Sequence, residues 1–302
     1  MIDFASCFSE YAVQISNTSC SLSKNSCISP GFIPSTQNDV TCLYKAILST
    51  QKQILITLTW RKNTALYQGL NIKFGDDPSN TLELSTNSRS SRKLKGSKSL
   101  EFDTSKFEVF WDLSSARYQP GPEPVGGFYL FIIVDSKLCL ILGDMAQKAL
   151  DKKLKDGIQT AIFSLVSRQE HFSGNALYLT TRAQFCGNKT SHDILIRCSG
   201  EKEGLEHQVL SVFVDKRVMI RVTNLQWNFR GNQTIFLDGL LVDLMWDVHD
   251  WFFNSYPGSA VFIFRTRSGL DGTRLWLEEN DQVLKDHDKV DFTLMIYSCK
   301  TI

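Results

Sequence analysis

No sign of charge prevails in this chain: 33 basic and 32 acidic residues leave +1 over 302 residues. A whole-molecule field able to gather polyanions is therefore excluded, and nucleic acid or an anionic membrane would need a local patch. Long apolar runs are missing as well. None reaches the roughly 18 residues of a spanning helix, so no membrane span is expected. The first residues lack the basic and apolar regions of a secretory leader. The eight cysteines form no Cys-x-x-Cys pair and no Cys/His spacing suited to zinc. There is no Walker phosphate loop, no Gly-x-Gly-x-x-Gly turn, no Gly-x-Ser-x-Gly elbow and no His-Glu-x-x-His helix. The sequence thus names no cofactor, no metal and no catalytic group.

What is present is a globular composition, 42% hydrophobic and 22% charged, enough to build a core. Cys42, Cys139, Cys186, Cys198 and Cys299 sit singly in apolar or alternating runs, where cysteine acts as a small hydrophobe. Cys7, Cys20 and Cys27 lie in a Ser-rich N-terminus with no core to hold them in bridging geometry. Reduced thiols are expected, and with them a cytoplasmic or nuclear location.

Residues 1–36 read as a disordered arm, rich in Ser and Asn and without periodicity. Short alternating runs follow. Ile54, Ile56, Leu58 and Trp60 take every second position, the period of a half-buried strand. Leu70–Phe74, Leu82–Leu84, Leu100–Phe102, Phe107–Leu113 and Phe128–Val134 continue the series, separated by turn residues such as Gly121-Pro-Glu-Pro124. Many short strands at this spacing predict a sandwich or barrel. One segment reads as helix: Asp144 as N-cap, then Met145, Leu150, Leu154, Ile158 and Leu165 on one stripe, with Gly157 weakening the middle.

An internal match organises the rest. Lys93–Asp103 aligns with Asn228–Asp238 at an offset of 135 residues, and Phe107–Asp112 falls on Val242–Asp247 without a gap. Gly96/Gly231, Trp111/Trp246 and Asp112/Asp247 are identical pairs. Fainter echoes join Ile54–Ile56 to Ile194–Ile196, Asn71–Phe74 to Ser211–Val214, and Phe128–Phe131 to Val261–Phe264. Asp238-Gly239 is a tight hairpin signal and Asp103-Thr-Ser-Lys106 a slightly longer one. In the strands behind these turns, the tryptophans face the core while Glu108 and Asp243 face out. The expected fold is mainly β: two related antiparallel sandwich or barrel-like units in tandem, joined by one helix. The boundaries are 37–143 for the first β repeat, 144–170 for the linker helix and 171–302 for the second β repeat.

Several strings carry a resemblance: Ser35–Tyr44, Phe110–Ala116, Gly121–Pro124, Ala183–Cys186, Phe229–Thr234 and Leu244–Asp250. Over about residues 35 to 265 the chain resembles the plant domain-of-unknown-function family 868. The resemblance implies a plant origin and carries over no activity and no catalytic residue.

Two segments remain as candidate sites. After the shared Trp-Asp, the first half runs Leu113-Ser-Ser-Ala, whereas the second runs Val248-His-Asp-Trp-Phe-Phe-Asn-Ser-Tyr256. Trp251, Phe252, Phe253 and Tyr256 bring about 150–250 Å² each of surface that something must cover: the chain itself, a protein partner or a ligand in a pocket. The other is a basic, Ser-rich loop with Arg89, Arg92, Lys93, Lys95 and Lys98, suited to phosphate groups or regulation. It lacks interleaved aromatics, which disfavours nucleic acid. His249-Asp250 is the one adjacent acid/base pair, and on a strand its members would face opposite ways. Asp112 and Asp247 are expected to cap backbone donors where their strands end. The reading is a non-catalytic binding or protein-interaction module. Its rivals are a carrier of an apolar small molecule in a β-barrel cavity and an enzyme without a recognisable motif. Thiol titration of freshly purified, denatured, unreduced protein should count all eight cysteines as free, and two or more protected thiols would contradict it.

Overall fold

The computed structural model describes residues 13–14, 33–64, 67–75, 77, 79–85, 94–102, 104–153, 158–185, 190–200, 207–254, 258–267 and 291–301. Most of the arm, with Cys7, Cys20 and Cys27, lies outside these residues. So do Arg89, Arg92, Lys93, Asp103, Leu154, Gly157, Cys186 and Tyr256. The four described cysteines, Cys42, Cys139, Cys198 and Cys299, are free thiols. The chain divides into two compact units, Gln37–His171 and Met1–Thr36 with Phe172–Ile302.

The first described element is the short β1 (Val13–Gln14). In the 37–171 unit, β2 (Thr36–Ile47), β3 (Gln53–Thr64), β4 (Tyr67–Phe74) and β5 (Thr81–Ser85) form an antiparallel meander. β6 (Lys95–Phe102) and β7 (Ser105–Asp112) start a second meander. A small hairpin, β8 (Arg117–Tyr118) and β9 (Pro124–Gly126), interrupts it. β10 (Tyr129–Val134) and β11 (Lys137–Leu142) then complete it. After α1 (Ala146–Lys153), β12 (Gln159–Thr160) adds in parallel to β11, and β13 (Ile162–Gly174) leads out of the unit.

The alternation explains how the two meanders meet. Ile54, Ile56, Leu58, Trp60, Leu70, Ile72 and Phe74 turn one way and join a single core with Phe107, Val109, Trp111, Leu130, Ile132 and Val134. The rings of Phe74 and Phe107 lie 4.8 Å apart across it. Each such side chain contributes about 1.5–3 kcal/mol when fully buried. β10 does not alternate at all, since all six of its residues are buried. Its second face, Tyr129, Phe131 and Ile133, packs with Leu138 under Ala146 and Leu150 of α1. The unit is an open sandwich: β5 ends the sheet of the first meander, and β6 and β12 end that of the second, so neither closes into a barrel.

The second unit repeats the strand diet. β14 (Tyr178–Ala183), β15 (His192–Ser199), β16 (Val209–Val214) and β17 (Arg217–Val222) form one meander, with β1 paired along β17. β18 (Arg230–Leu237), β19 (Leu240–Asp247), the single-turn α2 (His249–Phe253), β20 (Ser259–Thr266) and β21 (Thr293–Lys300) follow.

Several sequence expectations change here. Of the linker helix expected over 144–170, Ala146–Lys153 is the helical part among the described residues, and Ile162–Gly174 is a strand. Its Ile, Phe and Val residues favour extended chain over a helical stripe. Asp144, expected as a helix cap, accepts from the N–H groups of Gly127 (2.8 Å) and Phe128 (3.2 Å). The turn after β6 is no longer than the one at Asp238-Gly239, because Phe102 pairs with Ser105 as Leu237 pairs with Leu240.

The two matched hairpins use one device. Gly96 stands opposite Trp111, and Gly231 opposite Trp246, in register. A Cβ on Gly96 would lie 2.9 Å from the Trp111 ring, and one on Gly231 would come closer still to that of Trp246. The glycines let each indole lie across the neighbouring strand, a cover for a residue with no side chain to pack. Asp112 accepts from the Ser114 N–H (3.1 Å) and Asp247 from the His249 N–H (3.0 Å), the expected caps. Urea unfolding should show Trp111→Ala and Trp246→Ala each costing about 3–5 kcal/mol. Gly231→Ala should destabilise by about 1–3 kcal/mol and more than Gly96→Ala; the reverse order would contradict the closer approach.

Candidate functional site

The densest polar chemistry among the described residues is inside the 37–171 unit. Successive strand residues alternate in facing, so Arg168 and Glu170 of β13 share one face. Glu170 is fully buried, and the Arg168 side chain is mostly so, 15% exposed. The Arg168 Nε donates to Glu170 at 2.5 Å. Its two terminal nitrogens donate to the two oxygens of Glu123, at 2.9 and 2.5 Å. This is a two-pronged carboxylate grip, the strongest geometry open to a guanidinium. Glu170 also accepts from the Gln37 amide of β2 at 2.8 Å.

Glu123 reaches this place because of its loop. Pro122 and Pro124 flank it, and proline fixes its own φ while holding the preceding residue extended. Gly121 supplies the clearance, since a Cβ there would come within 2.6 Å of the Gln37 side-chain oxygen. Lys62 of β3 donates to the Pro120 carbonyl at 2.9 Å and ties down the near end.

Cys42 and Tyr44 line the same cluster from β2. Burial, reinforced by the Glu123 charge, pushes the Cys42 thiol up to about 12. Burial, with Cys42 and Glu123 adding to it, pushes the Tyr44 phenol upward too. Burial opposes the Arg168 charge, yet the paired carboxylates win and hold its pKa well above the ordinary value. No thiolate forms near neutrality, and the thiolate is the nucleophile. Near neutrality the guanidinium stays charged while the thiol and the phenol stay neutral. The cluster is a lock that ties β13 to β2 and to the 121–124 loop.

The sequence-predicted aromatic segment divides. Trp251 is buried, with the Lys300 ammonium 5.3 Å from its ring. Phe252 is half-buried, and Phe253 is 43% exposed. The Phe253 ring sits 5.1 Å from His249 and 5.7 Å from Phe229, and Phe229 lies 5.1 Å from His249. Trp227, in the loop before β18, is 77% exposed. α2 also brings His249 and Asp250 together at 2.9 Å, which a strand could not do. Of the basic loop, Lys95 and Lys98 are described; both are exposed on β6, and Lys95 pairs with Asp112 at 2.7 Å.

Sequence reasoning missed Arg168 and Glu170, because it placed them in a helix where spacing of two separates side chains. It also missed His192, whose ring meets Asp215 and Asp238 at positions 23 and 46 residues away. Isolated histidines give no signal of such partners. Among the described residues no His, Cys, Asp or Glu group is arranged to hold a metal ion, and no helix is long and apolar enough to cross a membrane.

Residues 35–300 match the family described as plant protein of unknown function (DUF868). No curated protein and no solved structure matches the chain. The match extends beyond the 265 suggested by the sequence strings and takes in β21.

Removing one partner of a buried ion pair leaves an uncompensated charge and costs about 3–5 kcal/mol. Arg168→Met should therefore lower stability by that amount in urea unfolding. The triple replacement with Glu123→Gln and Glu170→Gln should recover part of the loss. A cost below about 1 kcal/mol for the single change would contradict the lock.

Proposed function

We propose, for a chain that belongs to the plant DUF868 family of proteins of unknown function, a non-catalytic protein-interaction module whose contact surface is the aromatic group Phe229, His249 and Phe253 with Trp227 nearby in sequence. The observation that carries this is a partly exposed aromatic cluster, half-buried at Phe229 and His249 and open at Phe253, beside the segment where the two matched hairpins diverge. The identical pairs of the two hairpins are spent on folding, as the Gly–Trp crossings and the capping aspartates. The unshared segment after Asp247 is the part left over for function. Aromatic side chains suit it, since they anchor interfaces at low entropic cost.

The rival readings have less to stand on. An enzyme would need groups poised to exchange protons, and the richest cluster holds Cys42 protonated with a pKa of about 12. A carrier of the barrel type would need a closed barrel, and the described sheets are open. A cytoplasmic or nuclear setting fits the module, as does descent of the halves from one duplicated segment.

A photo-crosslinking phenylalanine analogue at Phe253 tests the reading in plant extract. It should give a discrete protein adduct that is lost on Phe229→Ala, while the same analogue at the exposed Val125 of the other unit should not. Equal adducts at both positions, or none at Phe253, would overturn it.

A further inference from the structure

His192 stands at the start of β15, buried, with both ring nitrogens engaged. Nδ1 lies 2.6 Å from the Asp215 carboxylate and Nε2 2.8 Å from that of Asp238. Asp215 opens the β16–β17 turn and Asp238 the β18–β19 turn; both adopt left-handed φ, 49° in each case. Carboxylates only accept, so the arrangement is satisfied in full only when both ring nitrogens carry protons. We propose that His192 is a proton-operated clasp that holds the tip of the β18–β19 hairpin to the β14–β17 meander.

The two carboxylates are not equivalent. Asp215 is secured independently: its other oxygen accepts from the Asp193 N–H at 3.0 Å, and its own N–H donates to the Asp193 carbonyl at 2.8 Å. Among the described residues, the Asp238 carboxylate is held by His192. When the ring loses a proton, Nδ1–H stays with Asp215. Nε2 then turns a lone pair toward Asp238, and the pair repel. Midway along the hairpin, Asp243 is held by Thr234 at 2.6 Å and Arg267 at 2.7 Å. Deprotonation therefore frees the tip rather than the hairpin. The tip carries Phe236, which is 68% exposed, two residues before Asp238.

Other charges around the ring do not compete for it. On its own strand Asp193 pairs with Arg182 of β14 at 2.8 Å. From the β16–β17 side Arg217 acts on Asp215, beside Lys216. From the segment after β14 the neighbour is the apolar Phe185, 6.2 Å between ring centres. Burial opposes the imidazolium, but the hydrogen bonds to Asp215 and Asp238 outweigh it and raise His192 above its ordinary 6.5. A folded-state pKa above the unfolded one means that the stabilisation is complete below about 6.5 and is lost as pH rises through the folded value.

The test is ¹³C NMR of the labelled histidine ring together with amide exchange across the Phe236–Leu241 tip, corrected for intrinsic rates. In the wild type the His192 midpoint should exceed 6.5, and Asp238→Asn should lower it by about one unit, the shift expected on losing one adjacent charge. Tip protection should fall as pH passes the midpoint while the Asp215 turn stays protected. His192→Gln should exchange at the tip without that pH step. Should His192→Gln not fold, the Asp238→Asn midpoint decides alone. A midpoint at or below 6.5, one unchanged by Asp238→Asn, or a tip whose protection is flat with pH in the wild type would overturn the clasp.

Discussion

A guanidinium cannot give up its proton inside a protein, and that constraint shapes the 37–171 unit. Once β13 carries Arg168 into the interior, its charge must be answered on every side. Glu170 answers from the same strand and Glu123 from a distant loop, while Gln37 satisfies the remaining oxygen of Glu170. The Gly-Pro-Glu-Pro loop is rigid for the same reason. A carboxylate on a mobile loop would leave the charge unpaired for part of the time, at a cost larger than most single contacts contribute. Cys42 and Tyr44 then lie in a place too buried to ionise. An apolar thiol and a neutral phenol are a consequence of the lock rather than a chemistry of their own.

Both units are built from short antiparallel meanders, and they solve local problems alike. The β10–β11 turn at Asp135-Ser136 and the β16–β17 turn at Asp215-Lys216 both place two residues at positive φ. Each is preceded by a bulge, between Ile132 and Ile133 in one case and between Val212 and Phe213 in the other, where the register shifts by one residue. Both turn aspartates accept from a backbone N–H at the start of the adjoining strand, Lys106 in one case and Asp193 in the other. This likeness joins different strands from those joined by the sequence match, so the recurring unit of construction is the meander with its turn chemistry.

Strand identity and facing were legible in the sequence because period-two alternation is a local signal: Ile54 to Trp60, Phe107 to Trp111 and Val242 to Trp246 all bury the side expected. The hairpin at Asp238-Gly239 and the capping roles of Asp112 and Asp247 were legible for the same reason. β13 was not, since its burial hardly alternates and its apolar residues also fit a helical stripe. With β13 misread, the Arg168 cluster could not be assembled, although four of its contributors, Gln37, Cys42, Tyr44 and Glu123, lie in strings that carried the family resemblance. The split fate of Trp251, Phe252 and Phe253 depends on a single turn of helix, too short to leave a periodic trace.

β10 has a consequence for how the chain is made. Tyr129-Leu-Phe-Ile-Ile-Val134 is six residues of high β-propensity without a charge, a proline or a glycine, the composition of a segment that self-associates when bare. During synthesis it is completed before β11 and α1, the elements that cover its second face. Until α1 closes, the nascent protein presents a sticky strand, and Asp135 and Lys137 immediately after it serve as charged gatekeepers. α1 thus covers an aggregation-prone face as well as linking two strands, and the interval before it forms leaves that face of β10 bare.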